Sequence, residues 1–400
     1  MSIIDYISFV SILIIGLLIG CTSRKSQKVP PDLKNVDSLS VFTDGNPSHE
    51  IDLKPDITYS DTSKLLMGPL IRDLAVTSVG DVCILDYAQK KVHIFNSSGE
   101  YIESIGREGR GPGEFQFTTS VEVRNNEIHV LDLLQSKISV FSLKTFKHEK
   151  DTDISIKDSK PDWLVRAQQY GLTYRPTDFY TLSNGNYLIV FSDNGVVSSS
   201  NLSQRTYEIS LFNTEKNKYI HHNVWSSKWT GQVLVHEGGK RILFKVPYKR
   251  STQYDYANGL LVSNWTENYL FKFYDRKGTY KRAYYYPSKP IELKKEDVVS
   301  YYDKASDETI DAIRNDTLPD NWPAVRSVVL DNKQRLWVST FTDNIEQYEW
   351  SIFAKSGKLL AKFHWPAHMK LFKVKDNYAY ALKRLSNGLP EVMRYKVVLN

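Results

Sequence analysis

Cysteine is almost missing from this chain: two in 400 residues, Cys21 and Cys83. So few thiols exclude a disulfide scaffold, and the fold must rest on packed apolar surface. Long hydrophobic runs are missing too. The longest, Ile7–Ile19, falls short of the roughly 20 residues a spanning helix needs and has the length of an export-signal core. Blocks of one charge sign are absent. The 52 Lys and Arg against 46 Asp and Glu, net +6, are spread through turns, which is the pattern of a solvated surface and argues against nucleic acid. No Gly-x-Ser-x-Gly elbow or His-Glu-x-x-His helix occurs. The Gly-rich stretch Gly106–Gly113 has Pro112 where a phosphate loop needs Lys, and no helix pattern follows it, so P-loop and dinucleotide chemistry are excluded.

What is present is repetition. Ile71–Ile105 contains four short runs rich in β-branched and aromatic residues, each bounded by Gly, Asn, Asp or Ser, the signature of a four-stranded meander. The spacing of Asp86 to Phe95 returns in Asp132 to Phe141, and the turn Phe95-Asn-Ser-Ser-Gly99 returns around Phe212, Tyr274 and Phe353. One such sheet cannot bury its own faces and needs copies beside it. Six blades are predicted, over about 71–106, 121–150, 178–225, 241–287, 325–365 and 370–399. The last lacks a strand, and an early run, His49–Lys54, is available to supply it. The expected fold is an all-β, six-bladed β-propeller closed by an N-terminal strand, which removes exposed sheet edges. Short helical insertions are expected at about 160–176 and 289–323. In the second, Glu292–Tyr302 and Ser306–Arg314 carry helical patterning, with Ser306 as N-cap.

The string Ile105-Gly-Arg-Glu-Gly-Arg-Gly-Pro-Gly-Glu-Phe115, with Asp86, Phe95 and the Gly99 turn, resembles the six-bladed propeller lipoproteins of Bacteroidetes-type bacteria, relatives of the NHL-repeat propellers. The resemblance implies fold and envelope location and no defined activity.

Residues 1–20 are expected to be a lipoprotein signal peptide, because Leu18-Ile19-Gly20-Cys21 has the lipobox pattern, although the first residues carry Asp5 and no Lys or Arg. Cys21 is then the lipid attachment site, 21–33 a flexible tether and 34–400 the propeller. Multiple acyl chains hold stably where one does not, so the membrane is an expected partner, and Thr22-Ser23 favours the outer membrane. Cys83 lies mid-strand and is expected to be a buried apolar side chain.

Two function classes fit. The first is a non-enzymatic binding module for a peptide, glycan or envelope protein, without a cofactor. Its candidate ligand residues are Arg107 and Arg110 in the Gly-rich loop and the insertion-associated aromatics Trp163, Trp225, Trp229, Tyr302 and Trp322, an aromatic and charged composition suited to a groove. The second is a metal-dependent hydrolase or lyase in the central channel, by analogy with propeller hydrolases that hold calcium there. Asp86 and Asp132 are the tempting ligands for it, but strand-ending Asp more often caps a turn. His364/His368 and His221/His222 are poorly spaced for a shared metal.

Overall fold

In the first repeat, the expected runs form strands Ile71–Val76, Val82–Asp86, Lys91–Phe95 and Tyr101–Ile105, paired in order as an antiparallel sheet. Local chemistry fixes its turns. The Asn96 carboxamide oxygen accepts the N–H groups of Ser98 and Glu100 at 3.0 and 2.9 Å, and Gly99 takes φ +90°. The same device recurs at Asp275, which accepts from Lys277 and Thr279 before the last strand of the fourth repeat. An Asx side chain replaces a missing backbone partner, and this is why the turns repeat where the intervening sequence does not.

The computed structural model describes residues 29–42, 45–157, 160–193, 203–302, 305–385 and 387–400. The proposed signal peptide, Cys21 and most of the tether lie outside these residues. The chain divides into two units, 1–35 and 36–400. The described part of the first holds one 3-10 turn, Pro31–Leu33.

The second unit is the six-bladed propeller. Blades 2 to 5 run over 118–153, 174–228, 252–285 and 327–366, and each contains four antiparallel strands in chain order. Blade 6 takes three strands from 369–399, and its fourth is Ile51–Tyr59, paired antiparallel with Pro390–Leu399. The ring therefore closes N-terminus onto C-terminus, as expected. Tyr59, fully buried, packs edge-on against Phe95 of blade 1 at 5.5 Å. That burial contributes about 2–3 kcal/mol to closure. Cys83 is buried and free.

Three expectations are corrected. Blade 4 begins at Thr252, not near 241. Lys240–Lys245 pairs instead with Gln232–Glu237 as an inserted hairpin turned by Gly238-Gly239, both at positive φ. The strand-like composition of 241–245 is real, but the Gly-Gly turn directs its pairing backwards. Blade 4 also gains a fifth, parallel strand, Leu39–Val41. The first insertion ends before residue 174, because Tyr174–Thr181 is already the inner strand of blade 3.

The insertions hold helices α1 (Asp162–Gln169), α2 (Lys295–Tyr301) and α3 (Asp307–Arg314). The Ser306 hydroxyl accepts the Thr309 N–H at the start of α3, as its N-cap position predicts. The inserted hairpin and all three helices lie in connections from an outer strand to the next inner strand. In a four-stranded antiparallel blade, those connections emerge at the end where inner strands begin, together with the turns between second and third strands. The decorations therefore share one end of the ring.

Candidate ligand channel and cleft

The inner strands line the central channel, and three of them place an Asp in it: Asp73, Asp178 and Asp255. Each carboxylate folds onto the N–H of the next residue, at 2.8 Å in all three cases. Asp73 also accepts from Val121 N–H at 2.9 Å and from the Ser120 hydroxyl at 3.1 Å, and Asp255 accepts from Leu330 N–H at 2.7 Å. These carboxylates staple the inner strand of one blade to that of the next. Burial pushes Asp178 up to about 7, with Asp73 adding repulsion, and pushes Asp255 up to about 6. Glu122 is raised by the same desolvation, opposed by Lys373, whose ammonium stands 3.2 Å from its carboxylate. Lys373 is the base of this layer: Glu122, Asp73 and Asp255 outweigh its own desolvation and hold its pKa above the lysine range. The side chains of Lys373 and Glu122 keep 35% and 19% of their exposure.

A cleft of 780 Å³ opens between blades 4 and 5 on the decorated end. Its apolar wall includes Tyr269, Tyr286, Trp322 and Phe341, with Trp322 stacked on Phe341 at 4.3 Å. Pro287, Pro290 and Pro323 stiffen the insertion over it, and Lys358, Lys362, Glu349 and Asp343 supply charge. Arg250 ties the rim together by pairing with Glu267 and donating to Asn321 O at 2.9 Å. A second, shallower cavity of 830 Å³ lies at the opposite end, beside Arg124, Ser183 and Lys277.

The seven sequence candidates do not converge. Trp163 packs among Tyr174 and Phe191 in the blade 3 core, and Trp225 is buried beside Tyr254. Trp229 meets Tyr207 edge-on and lies under the Arg205 guanidinium. Tyr302 is buried against Phe244 of the hairpin. Trp322 alone of the five aromatics lines the cleft. Arg107 pairs with Glu114 at 2.7 Å within its own loop, whose Glu114 also accepts from Gly111 N–H. Arg110 in that loop is exposed. Gly106 has φ +83°, and a Cβ there would meet the Phe115 ring at 2.2 Å. The Gly-rich string is a crossover built for close passage.

Asp86 and Asp132 cap turns. Asp86 accepts from Gly68 and Gln89 N–H, and Asp132 from Gln116 and Gln135 N–H. Asp86 also stands 3.3 Å from His93 Nε2, and His93 Nδ1 lies 2.7 Å from the Ser104 hydroxyl. This line has the order of a catalytic triad, but Asp86 and His93 are wholly buried and neither cavity described above borders Ser104. Among the described residues no group of three or more His, Cys, Asp or Glu is placed to hold a metal ion. No helix there is long and apolar enough to cross a membrane.

Sequence reasoning missed the channel carboxylates. Their signal is an Asp followed by a large apolar residue early in an inner strand: Asp73-Leu74, Asp178-Phe179 and Asp255-Tyr256.

A family model described as a 6-bladed beta-propeller, DUF5128, matches residues 70–227. No curated protein sequence matches the chain. Among solved structures, a protein of Bacteroides fragilis described as exported aligns with a TM-score of 0.54 at 12% identity, covering 90% of this chain and 99% of its own. A DUF4221 member from Bacteroides vulgatus aligns at 0.50 and 9%, covering 88% and 99%. At such identities these likenesses show the propeller fold.

Proposed function

We propose that this chain is an exported, lipid-anchored propeller that acts as a binding module, taking a peptide or glycan segment in the cleft between blades 4 and 5. The observation that carries this is the cleft itself: 780 Å³, walled by aromatic rings, rimmed by charge and framed by the proline-stiffened insertion. Flat apolar faces beside charged and amide groups suit sugar rings or peptide side chains. Anchoring rests on the Ile7–Cys21 sequence.

The alternative, a metal-dependent hydrolase or lyase in the channel, draws on the raised Asp178 and Asp255. Perturbed carboxyls mark catalytic sites and structural networks alike. Here Asp73 and Asp255 are spent on backbone N–H groups of two blades, which favours the structural role.

The test is an array of polysaccharides and envelope-derived peptides probed with the full-length chain and with Ser288→Trp, which fills the cleft from an exposed lining position. A hit lost in Ser288→Trp, at unchanged melting temperature, supports the cleft. A hit that the variant retains, or metal-dependent turnover of the hit, overturns this reading.

A further inference from the structure

At the decorated end the channel lining turns basic. Arg72 and Lys370 stand near the starts of the inner strands of blades 1 and 6, Arg326 directly precedes that of blade 5, and Lys245 ends the inserted hairpin. Lys245 lies within electrostatic reach of Arg326 and Lys370, and Lys370 within reach of Arg326, Arg384 and Arg72. Four separate segments therefore bring cations to one mouth.

They lack paired carboxylates. Among the described residues, none of Arg72, Lys245, Arg326 and Lys370 forms an ion pair with a carboxylate, whereas deeper in the channel Lys373 does. Asp73 acts on Lys370 against the neighbouring cations without pairing with it. Arg72 lies over the rings of Tyr87 and Phe117, at 4.1 and 4.6 Å. Arg384 donates to Pro69 O at 3.0 Å. Arg326 stands 5.7 Å from the Tyr348 ring, and its Nε is buried with no hydrogen-bond partner. Tyr301, from α2, lies 3.3 Å from Tyr348, oxygen to oxygen, so the insertion reaches this mouth.

The cations are also crowded. Lys245 and Lys370 are exposed, yet desolvation and then the neighbouring cations push Lys245 down to about 8, and in Lys370 the same effects outweigh the opposing pull of Asp73 and hold it below the lysine range. Like charges gathered without counter-charge destabilise a fold unless an anion completes the site.

We propose that this basic mouth binds a compact polyanion, a small molecule or chain end carrying two or more carboxylate or phosphate charges, gripped by Lys245, Arg326 and Lys370. The planar guanidinium suits an oxyanion in bidentate fashion, the two ammoniums add point charges, and the Tyr301 and Tyr348 hydroxyls are neutral donors beside them. The site shares no lining residue with the cleft between blades 4 and 5, so either can fail without the other.

The experiment is calorimetric titration of the full-length chain with citrate and with pyrophosphate at low ionic strength. At least one binds saturably. Tighter citrate identifies a carboxylate ligand and tighter pyrophosphate a phosphate ester. Lys245→Gln and Lys370→Gln each weaken binding about tenfold or more. Lys216→Gln, on an exposed turn at the opposite end, leaves it unchanged. Without anion, the two mouth variants melt no lower than the parent, because each removes a repelling charge. The proposal is overturned if neither anion binds saturably, if Lys216→Gln weakens binding as much as the mouth variants, or if the mouth variants melt lower while binding is intact.

Discussion

Lys373→Met should destabilise the propeller in a pH-dependent way. The substitution keeps the length of the side chain and removes the ammonium that pairs with Glu122 and is held by Asp73 and Asp255. Removing one partner of a fully buried pair costs about 3–5 kcal/mol, and removing one of an exposed pair costs about 0–1 kcal/mol. Exposures of 35% and 19% place this pair between those limits, at about 2 kcal/mol where all the carboxylates are ionised. For a domain of this size that is a fall of about 3 °C in melting temperature. The sign follows from the raised carboxyls. Asp178 near 7 and Asp255 near 6 hold protons in the folded state that the unfolded chain releases near 4. Their contribution to stability therefore declines as pH rises from about 4 to 7. Without Lys373 that decline steepens. The assay is thermal melting of parent and variant at pH 5 and pH 8. The variant should match the parent at pH 5 and fall below it at pH 8. An equal loss at both pH values, or none at pH 8, would refute the electrostatic account of the channel.

Other consequences follow from single contacts. Gly106→Ala forces a Cβ into the Phe115 ring at positive φ and should cost about 3 kcal/mol, seen as a lower urea midpoint. Ser306→Ala removes the α3 N-cap and should cost about 1 kcal/mol by the same measurement. His129 is buried, with Nδ1 3.0 Å from the Tyr187 hydroxyl. Glu127 lies 3.3 Å from its Nε2 without hydrogen-bond geometry. Desolvation and the nearby Arg124 depress it to about 3, so it folds neutral while the unfolded chain protonates near 6.5. Stability should therefore fall by about 2 kcal/mol between pH 7 and pH 5 from this group. His129→Gln should remove that part of the slope in urea titrations at the two pH values.

The propeller was legible because its turns are local. Asn96 and Asp275 each satisfy backbone groups within four residues, so the turn leaves its mark in contiguous sequence. Ring closure was legible from one missing strand and one spare. The inserted hairpin was misassigned because 241–245 has blade-like composition, and only the Gly238-Gly239 turn tells that it pairs backwards. The channel was not legible. Register shifts between Ile71 and Asp73, and between Pro176 and Asp178, reset the in-out alternation at the residues that matter, so strand period cannot say which of them face the axis. The basic mouth combines side chains far apart in sequence, and no local pattern announces it. Trp163 and Trp225 lie in the core for a general reason: blades pack on aromatic rings, and composition alone does not separate a core ring from a cleft ring.

The central claim is that ligand is taken at the decorated end, beside blades 4 and 5. The most direct measurement places a photo-crosslinking residue at Ser288 in the cleft and, separately, at Lys216 on the far end, in the full-length chain in its native cells. Intact mass after irradiation should show a discrete adduct at position 288 and none at 216. Equal labelling at both positions, or none at 288, would contradict it.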